Sequence, residues 1–179
     1  VSEANVSVVN TSTTPPITIN DTTNLAGVLQ LVDIPTSTAN YQIKVTKQGY
    51  STERTYPMGD PLNPNPMTPN ATVAKQTLTS MSFFIDRVSV INFKTTDEFC
   101  GAAPGVSFQM DGTKLIGTAP DIIKFSTSSV TDANGQKTIG NIEWGTYNFT
   151  LTDATHDLSG SSPPIPLTVN PSSTYPLTW

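Results

Sequence analysis

Apolar and polar residues alternate along much of the chain, and this pattern predicts β-strands. The clearest run is Tyr147 to Leu151, in which Tyr, Phe and Leu are separated by Asn and Thr. A similar run, Tyr41 to Thr46, lies in the first half. Period-two alternation places the apolar side chains on one face of a strand, so both runs predict half-buried strands. No helix of useful length is predicted anywhere.

The stretch that contains Tyr147–Leu151, residues 131–151, has an earlier copy at residues 23–45. Three pairs share one offset (135 − 27 = 108): Gly27 with Gly135, Leu31 with Ile139, and Ile34 with Ile142. In the second copy Asn134-Gly135 precedes a strand, and Asn-Gly is a strong hairpin signal. The sequence therefore predicts a hairpin in each copy and an all-β chain of two tandem Ig-like or transthyretin-like β-sandwich domains, residues 1–86 and 87–179.

The first predicted domain lacks a counterpart of the strand that opens the second. Val88–Phe93 precedes the strand at Val106, whereas little precedes the matching strand at Val6 and Val8. A sandwich without an edge strand exposes unpaired backbone groups beside its core. Truncation of the chain, another segment of the protein, or a strand donated by a neighbouring subunit would each account for the gap. Val6 and Val8 are therefore possible assembly contacts.

Each predicted domain closes with a strand of alternating apolar residues, residues 79–86 in the first domain. The two strands match at an offset of 94: Met81, Phe83 and Ile85 correspond to Tyr175, Leu177 and Trp179. The junction Phe84–Val88 contains no Gly, Pro or Ser. Flexible linkers are rich in these residues, so we expect a stiff end-to-end pair of domains.

Between Pro57 and Pro69 the sequence carries five prolines, which exclude helix and favour an ordered loop. Met58, Leu62 and Met67 lie in this loop with no predicted strand to bury them. Two interpretations are open. The three side chains either cover the open end of their own sandwich or bind a partner.

Composition narrows the functional class. Charged residues make up only 13% of the chain, the net charge is −5, and the basic residues are scattered, which argues against nucleic-acid binding. No apolar run has the length of a membrane span. The richness in Ser and Thr suggests an exported protein, extracellular or at the cell surface, and we expect the sequence to be part of a longer product. The single cysteine, Cys100, is either a small buried apolar residue or an intermolecular bridge.

The sequence contains few residues that could form a catalytic or metal site. The one histidine, His156, stands near Asp153 and Asp157 in a predicted loop, and we interpret it as a surface residue. Zinc needs several His or Cys ligands. Asp132-Ala133-Asn134-Gly135 resembles part of a calcium loop, but a hairpin turn explains it better. The sequence predicts no catalytic residue, no cofactor and no metal site.

Polar and aromatic surface sites are the remaining candidates. Asn10, Asn20 and Asn70 begin Asn-x-Ser/Thr triplets and are possible glycosylation sites. Asn5 and Asn148 begin the same triplet but lie in predicted strands. Trp144 and Trp179 are either core residues or platforms for sugar rings.

One stretch resembles a known family: Thr131–Gly135, then Ile142, then Gly145–Leu151 resemble the hairpin of the carboxypeptidase-regulatory-like domains, which are transthyretin-like seven-stranded sandwiches. Lys47–Tyr50 resembles the Gly-Tyr step that follows that hairpin. The second half departs there, with Thr155–Gly160 in its place. The resemblance implies a non-catalytic spacer, adhesive repeat or pilus-associated domain of a bacterial surface.

Two further stretches, Gly49–Tyr56 and Gly112–Thr118, are similar to regions of bacterial pilin-like surface proteins. B-type pilin domains of the collagen-adhesin group join Lys to Asn with the help of a nearby Glu. Thr150–Thr152 supplies no carboxylate, which argues against an isopeptide bond of that type.

Two hypotheses follow. The first is a structural subunit or stalk of a bacterial surface filament or pilus, which self-associates through strand and loop contacts. The second is an adhesin or accessory module that binds a glycan or a protein of a host surface through proline-rich loops. A hydrolase is disfavoured.

Overall fold

The structure, a computed structural model, describes residues 1–158 and 160–179, and every regular element in them is a β-strand. Ser159, which belongs to the Thr155–Gly160 stretch named above, lies outside the described residues. In chain order the strands are β1 (Asn5–Asn10), β2 (Ile17–Thr22), β3 (Ser37–Thr46), β4 (Glu53–Arg54), β5 (Ala71–Val73), β6 (Ser89–Lys94), β7 (Ser107–Gly112), β8 (Leu115–Gly117), β9 (Ile122–Ile123), β10 (Ser126–Val130), β11 (Gln136–Ile142), β12 (Gly145–Leu151), β13 (Leu167–Val169) and β14 (Thr174–Thr178). The prediction of an all-β chain is confirmed.

The chain divides into two compact units. Unit 1 comprises Val1–Ile85 and Leu115–Ile122, and unit 2 comprises Asp86–Lys114 and Ile123–Trp179. Residues 115–122 lie in the second half of the sequence but belong to unit 1, because their backbone is hydrogen-bonded to the proline-rich loop. The local sequence carries no signal for such a long-range contact.

Unit 1 is built on one antiparallel sheet with the order β2-β1-β3-β4, and β5 also pairs with β3. β1 lies in the interior of this sheet, since Val8 faces Ile19 of β2 on one side and Ile43 of β3 on the other. Alternate residues of β1 point to the core, where Val6 and Val8 are buried with Tyr41. The alternation read from the sequence thus sets which face is buried.

Unit 2 is a sandwich of two sheets with the orders β10-β7-β12-β13 and β11-β6-β14. Inward residues of both sheets form one core: Ile91, Phe93, Phe108, Met110, Ile142, Tyr147, Phe149, Leu167, Val169 and Leu177. Trp179 packs edge-on against Phe93, Phe108 and Phe149 at ring-centroid distances of 5.5, 5.0 and 5.7 Å. Such edge-to-face pairs favour a fixed arrangement of the core.

The predicted hairpin of the second copy is not formed. The Asn134-Gly135 turn exists, with Asp132 Oδ1 accepting hydrogen bonds from the backbone N–H groups of Asn134 and Gln136 at 2.8 Å each. However, β11 pairs with β6 while β12 pairs with β7 and β13, so the two strands lie in different sheets. The hairpin assignment was wrong because sequence alternation specifies a strand without specifying its partner.

The first copy departs further from the prediction. Residues 23–36 contain no strand, and neither does 79–86, where a strand was predicted. Both stretches still place apolar side chains against the core of unit 1, among them Leu29, Leu31, Met81 and Phe83. They therefore keep the burial pattern of strands without the pairing.

Candidate functional site

The proline-rich loop is closed at its base by backbone hydrogen bonds. Tyr56 N–H donates to the carbonyl of Thr68, and Asn70 N–H donates to the carbonyl of Tyr56, both at 2.9 Å. Inside the loop, Asp60 accepts from Leu62 N–H through Oδ1 at 2.8 Å and from Asn63 N–H through its carbonyl at 2.9 Å. Because proline residues cannot donate, these few bonds define the path of the loop.

Residues 116–119 hold the far side of the loop within unit 1. Met67 N–H donates to the carbonyl of Ile116 at 2.9 Å, and Thr118 N–H donates to the carbonyl of Asn65 at 3.0 Å. The buried amide of Asn63 also donates to Ile116, at 3.2 Å. Gly117 is required at this contact, since a Cβ there would lie 1.9 Å from Asn63 Oδ1.

This scaffold presents the three apolar residues of the loop to solvent. Met58, Leu62 and Met67 are 57%, 82% and 62% exposed. We call these three residues the loop surface. The first interpretation, in which they cover their own sandwich, does not match this exposure, whereas the partner-binding interpretation stays a prediction. Three apolar side chains left exposed on one hydrogen-bonded loop are available to contact a partner.

Val6 and Val8 do not lie at an open edge. Both are buried in β1, and β2 and β3 occupy both edges of that strand. The prediction of assembly contacts at Val6 and Val8 is therefore corrected, because their backbone groups already pair within the sheet and their side chains face the core.

The three candidate glycosylation sites differ in accessibility. Asn20 is exposed on β2. Asn10 and Asn70 are 0% and 7% exposed, and Asn10 Oδ1 accepts hydrogen bonds from the N–H and hydroxyl groups of Ser12 at 2.9 and 2.7 Å. Since a glycan needs a solvent-facing amide nitrogen, the folded protein offers Asn20 but neither Asn10 nor Asn70.

A charged cluster in unit 2 was missed by the sequence analysis. Glu143 is buried between β11 and β12, and its Oε2 lies 2.9 Å from Lys124 Nζ and 3.6 Å from Lys114 Nζ. Lys114 also lies 3.9 Å from the ring centroid of Trp144, which is 47% exposed. The only sequence signal was a carboxylate set between Ile142 and Trp144 where the chain crosses from one sheet to the other.

Each unit also contains a buried tyrosine that fixes a connection. Tyr41 donates its hydroxyl to the carbonyl of Pro35 at 2.7 Å, and Tyr147 donates to the carbonyl of Glu143 at 2.8 Å. Burial first, and the negative charge of Glu143 second, raise the pKa of Tyr147 well above its usual range. Tyr147 therefore stays a neutral hydrogen-bond donor and is a structural residue.

His156 lies in an exposed turn with Asp153 and Thr155. Its Nδ1 lies 2.8 Å from Asp153 Oδ2 and 3.1 Å from Thr155 Oγ1. A catalytic triad places the acid and the nucleophile on opposite ring nitrogens, whereas here both groups face the same nitrogen. Hydrogen bonds from Thr155, with a smaller contribution from His156, lower the pKa of Asp153 to about 2.

Cys100 and Trp179 differ in their surroundings. Cys100 is exposed, so the interpretation as a buried apolar residue was wrong. Trp179 is partly buried and packs against the core of unit 2, which matches the interpretation as a core residue better than that as a platform for sugar rings. In the described part of the chain, no three His, Cys, Asp or Glu side chains are grouped closely enough to share a metal ion. No helix in those same residues is long and apolar enough to cross a membrane.

Comparisons with known proteins give distant structural likenesses. No protein-family model matches the chain, and no curated protein does. Among solved structures, the TIE protein of Bacillus anthracis is 12% identical with a TM-score of 0.37, and the match covers 99% of this chain and 30% of that one. The shaft pilin spaA of Lactobacillus rhamnosus GG is 12% identical with a TM-score of 0.38, and the match covers 99% of this chain and 85% of that one. At these scores neither likeness assigns a fold family or a function.

Proposed function

We propose that the protein is a non-enzymatic, extracellular structural subunit of a bacterial surface filament or pilus, whose two β units are of the transthyretin-like, carboxypeptidase-regulatory-like type. It assembles with other copies through its exposed loop and strand surfaces. The observation that carries the proposal is the loop surface, where Met58, Leu62 and Met67 are more than half exposed on a hydrogen-bonded scaffold.

Exposure of these three apolar side chains to water is unfavourable. Each apolar side chain that moves from water into an interface contributes about 1.5–3 kcal/mol. The scaffold of Asn63, Asn65 and residues 116–119 fixes the loop before any partner arrives, so little conformational entropy is lost on binding. The low charge of the chain also limits electrostatic repulsion between copies.

The test combines microscopy with a surface substitution. Negative-stain images of native material should show regular fibres, and the triple variant Met58→Ser, Leu62→Ser and Met67→Ser should lose self-association in analytical ultracentrifugation. A control variant, Phe99→Ser with Val130→Ser, removes apolar side chains that are 83% and 51% exposed elsewhere and should assemble normally. Normal assembly of the triple variant would contradict the claim that the loop surface mediates self-association.

The loop surface also favours a second function, in which the protein is an adhesin or accessory module that binds a glycan or a host protein. Particles that stay monodisperse, bind an immobilised glycan or protein, and lose that binding in the triple variant would support this function. Fibres without such binding would support the first.

A further inference from the structure

A hollow of about 440 Å³ lies on the outer face of the sheet of unit 1, where β1 runs between β2 and β3. Val6 and Val8 of β1 point into the core, so Ser7 between them points outward. Ser7 faces Asn20 of β2 on one side and Lys44 of β3 on the other. Most of the residues that line the hollow carry an amide or a hydroxyl group: Asn5, Ser7, Asn20, Thr22 and Thr46.

The amide and hydroxyl side chains of the hollow are unused within the protein. Among the described residues, none of these five side chains has a hydrogen-bond partner. The matching face of unit 2 can be identified from the buried tyrosines, since Lys44 and Thr150 each lie three residues beyond the buried tyrosine of their strand. Ser7 therefore corresponds to Gln109 of β7, which faces Thr150 as Ser7 faces Lys44.

Gln109 joins its neighbours on the matching face of unit 2. Its Oε1 accepts a hydrogen bond from Ser128 Oγ at 2.6 Å, and its Nε2 donates to Ser126 Oγ at 2.7 Å and to Asp111 Oδ1 at 2.9 Å. The side chain of Ser7 is too short to join its neighbours in this way. Unit 1 therefore keeps open, at the same place, the space and the hydrogen-bonding groups that unit 2 uses internally.

Two cations lie side by side at the β3 side of the hollow. Lys44 faces Arg54 of β4, and like charges directly opposite each other on a sheet are destabilising. Neither cation forms an ion pair with any described residue. The guanidinium of Arg54 lies 4.7 Å from the ring centroid of Tyr56. Asp21, at the opposite side of the hollow, accepts a hydrogen bond from the backbone N–H of Thr22 at 2.7 Å. An anionic group bound between Lys44 and Arg54 would therefore relieve a repulsion that the sheet leaves uncompensated.

We propose that this hollow binds an acidic saccharide, with a sugar ring over Ser7 and the sugar carboxylate between Lys44 and Arg54. Sugar hydroxyls both donate and accept hydrogen bonds, as do the amides and hydroxyls of the lining. A carboxylate is the group that a guanidinium binds with two parallel hydrogen bonds. The volume of the hollow, about 440 Å³, is typical of sites for small ligands. This inference goes beyond the filament function and requires no contact at the loop surface.

The strands of the hollow favour a saccharide over an acidic peptide. An extended peptide binds a sheet mainly by pairing with the backbone of a free strand edge. β1 pairs with β2 and β3, and β3 pairs with β1 on one side and with β4 and β5 on the other, so neither offers such an edge here. Val6 is buried, so the hollow also lacks an exposed apolar side chain to hold one of a peptide. Its side-chain amides, hydroxyls and cations are the groups left for a ligand.

The ligand class can be tested by NMR titration of the 179-residue chain labelled with nitrogen-15. The probe is trigalacturonic acid, and the control is its fully methyl-esterified form, which has the same sugar rings without the charge. The probe should give saturable shifts in the backbone amides of residues 5–7, 20–22, 44–46 and 54, and the ester should bind about tenfold more weakly. Absence of saturable shifts there, or equal binding of the ester, would overturn the site. Binding of tetraglutamate at these residues as tightly as the probe would overturn the assignment to a saccharide.

Substitutions in the hollow test the residues that form it. Ser7→Gln introduces the side chain that unit 2 has at this place and should weaken binding of trigalacturonic acid about tenfold by filling the hollow. Lys44→Gln with Arg54→Gln should weaken it about fivefold. The matched control, Lys75→Gln with Lys94→Gln, makes the same change in net charge at two exposed positions elsewhere and should bind normally. Thermal unfolding checks that every variant is folded.

Unchanged binding in the Lys44 and Arg54 variant, or an equal loss in its matched control, would overturn the site. The filament function is tested separately, because self-association is measured without any saccharide. Loss of saccharide binding in the Ser7→Gln variant should leave self-association unchanged.

Discussion

The ammonium of Lys124 lies 2.9 Å from Oε2 of Glu143, a carboxylate whose side chain is only 8% exposed. Glu143 stands where the chain leaves β11 and enters β12, two strands in different sheets of unit 2. Lys114, 3.6 Å from the same oxygen, completes a group of one buried anion and two cations. The group therefore holds the connection between the two sheets.

We expect Lys124→Met to destabilise unit 2 by about 3 kcal/mol, because it leaves a buried carboxylate whose nearest cation is 3.6 Å away. Urea denaturation at neutral pH measures this loss. The double variant Lys124→Met with Glu143→Leu removes the buried charge as well and should recover much of the stability. An unchanged unfolding midpoint in the Lys124→Met variant would contradict a stabilising contact between Lys124 and the buried Glu143.

Tyr147→Phe should lower stability at neutral pH by about 1 kcal/mol, since it removes the hydroxyl that donates to the Glu143 carbonyl at 2.8 Å. The pH dependence follows from the raised pKa of Tyr147. Above pH ~10 the unfolded chain releases this proton while the folded chain keeps it, so the stability of the native protein falls as pH rises.

The Tyr147→Phe variant lacks that titration, and its stability should fall less steeply above pH ~10 than that of the native protein. Chemical denaturation at neutral and alkaline pH compares the two slopes. Equal slopes would show that Tyr147 titrates alike in the folded and unfolded states.

Gly117→Ala should disturb the proline-rich loop. The added methyl group would lie 1.9 Å from Asn63 Oδ1, so Asn63 must move and lose its hydrogen bond to Ile116. We expect a loss of about 2 kcal/mol and faster hydrogen exchange at Met67. Gly140→Ala is the matched control, because no atom lies within 4 Å of its added methyl group. Similar behaviour of the two variants would contradict the close contact.

Thr155→Ala should raise the pKa of Asp153 from about 2 towards its ordinary value, because hydrogen bonds from Thr155 are the main cause of the lowering. In the native protein this carboxylate favours the folded state above pH ~4, and that contribution is lost as pH falls through about 2. Carbon-detected NMR titration of the Asp153 carboxyl measures both values. An equally low pKa of Asp153 in the variant would show that His156, and not Thr155, is the main cause of the lowering.

The strands could be predicted from the sequence to a useful degree. Alternation at Tyr147–Leu151 gave β12 and the matching run gave most of β3, because the period of side-chain exposure is a local property of a strand. For residues 79–86 the sequence predicted the buried face correctly, but the strand predicted there is absent from the structure. A strand needs hydrogen-bonded neighbours, and these depend on residues far away in sequence.

The candidate site divides in the same way. The prolines and exposed apolar residues of the loop at 57–69 could be read directly from the sequence. Its anchor on Ile116 and Thr118 could not, because backbone groups make those bonds and every residue carries the same groups. Glu143 was unremarked for a related reason, since the burial of a carboxylate is decided by the lysines that meet it.

By itself the sequence determined that this protein is all-β, low in charge and internally repeated, since composition and period-two alternation act residue by residue. Tertiary structure decided the rest: the placement of β11 and β12 in different sheets, the position of β1 between two neighbours, and the membership of residues 115–122 in unit 1. The physical reason is that strand pairing uses backbone groups that are alike at every position. The choice of partner is therefore made by the packing of the whole unit.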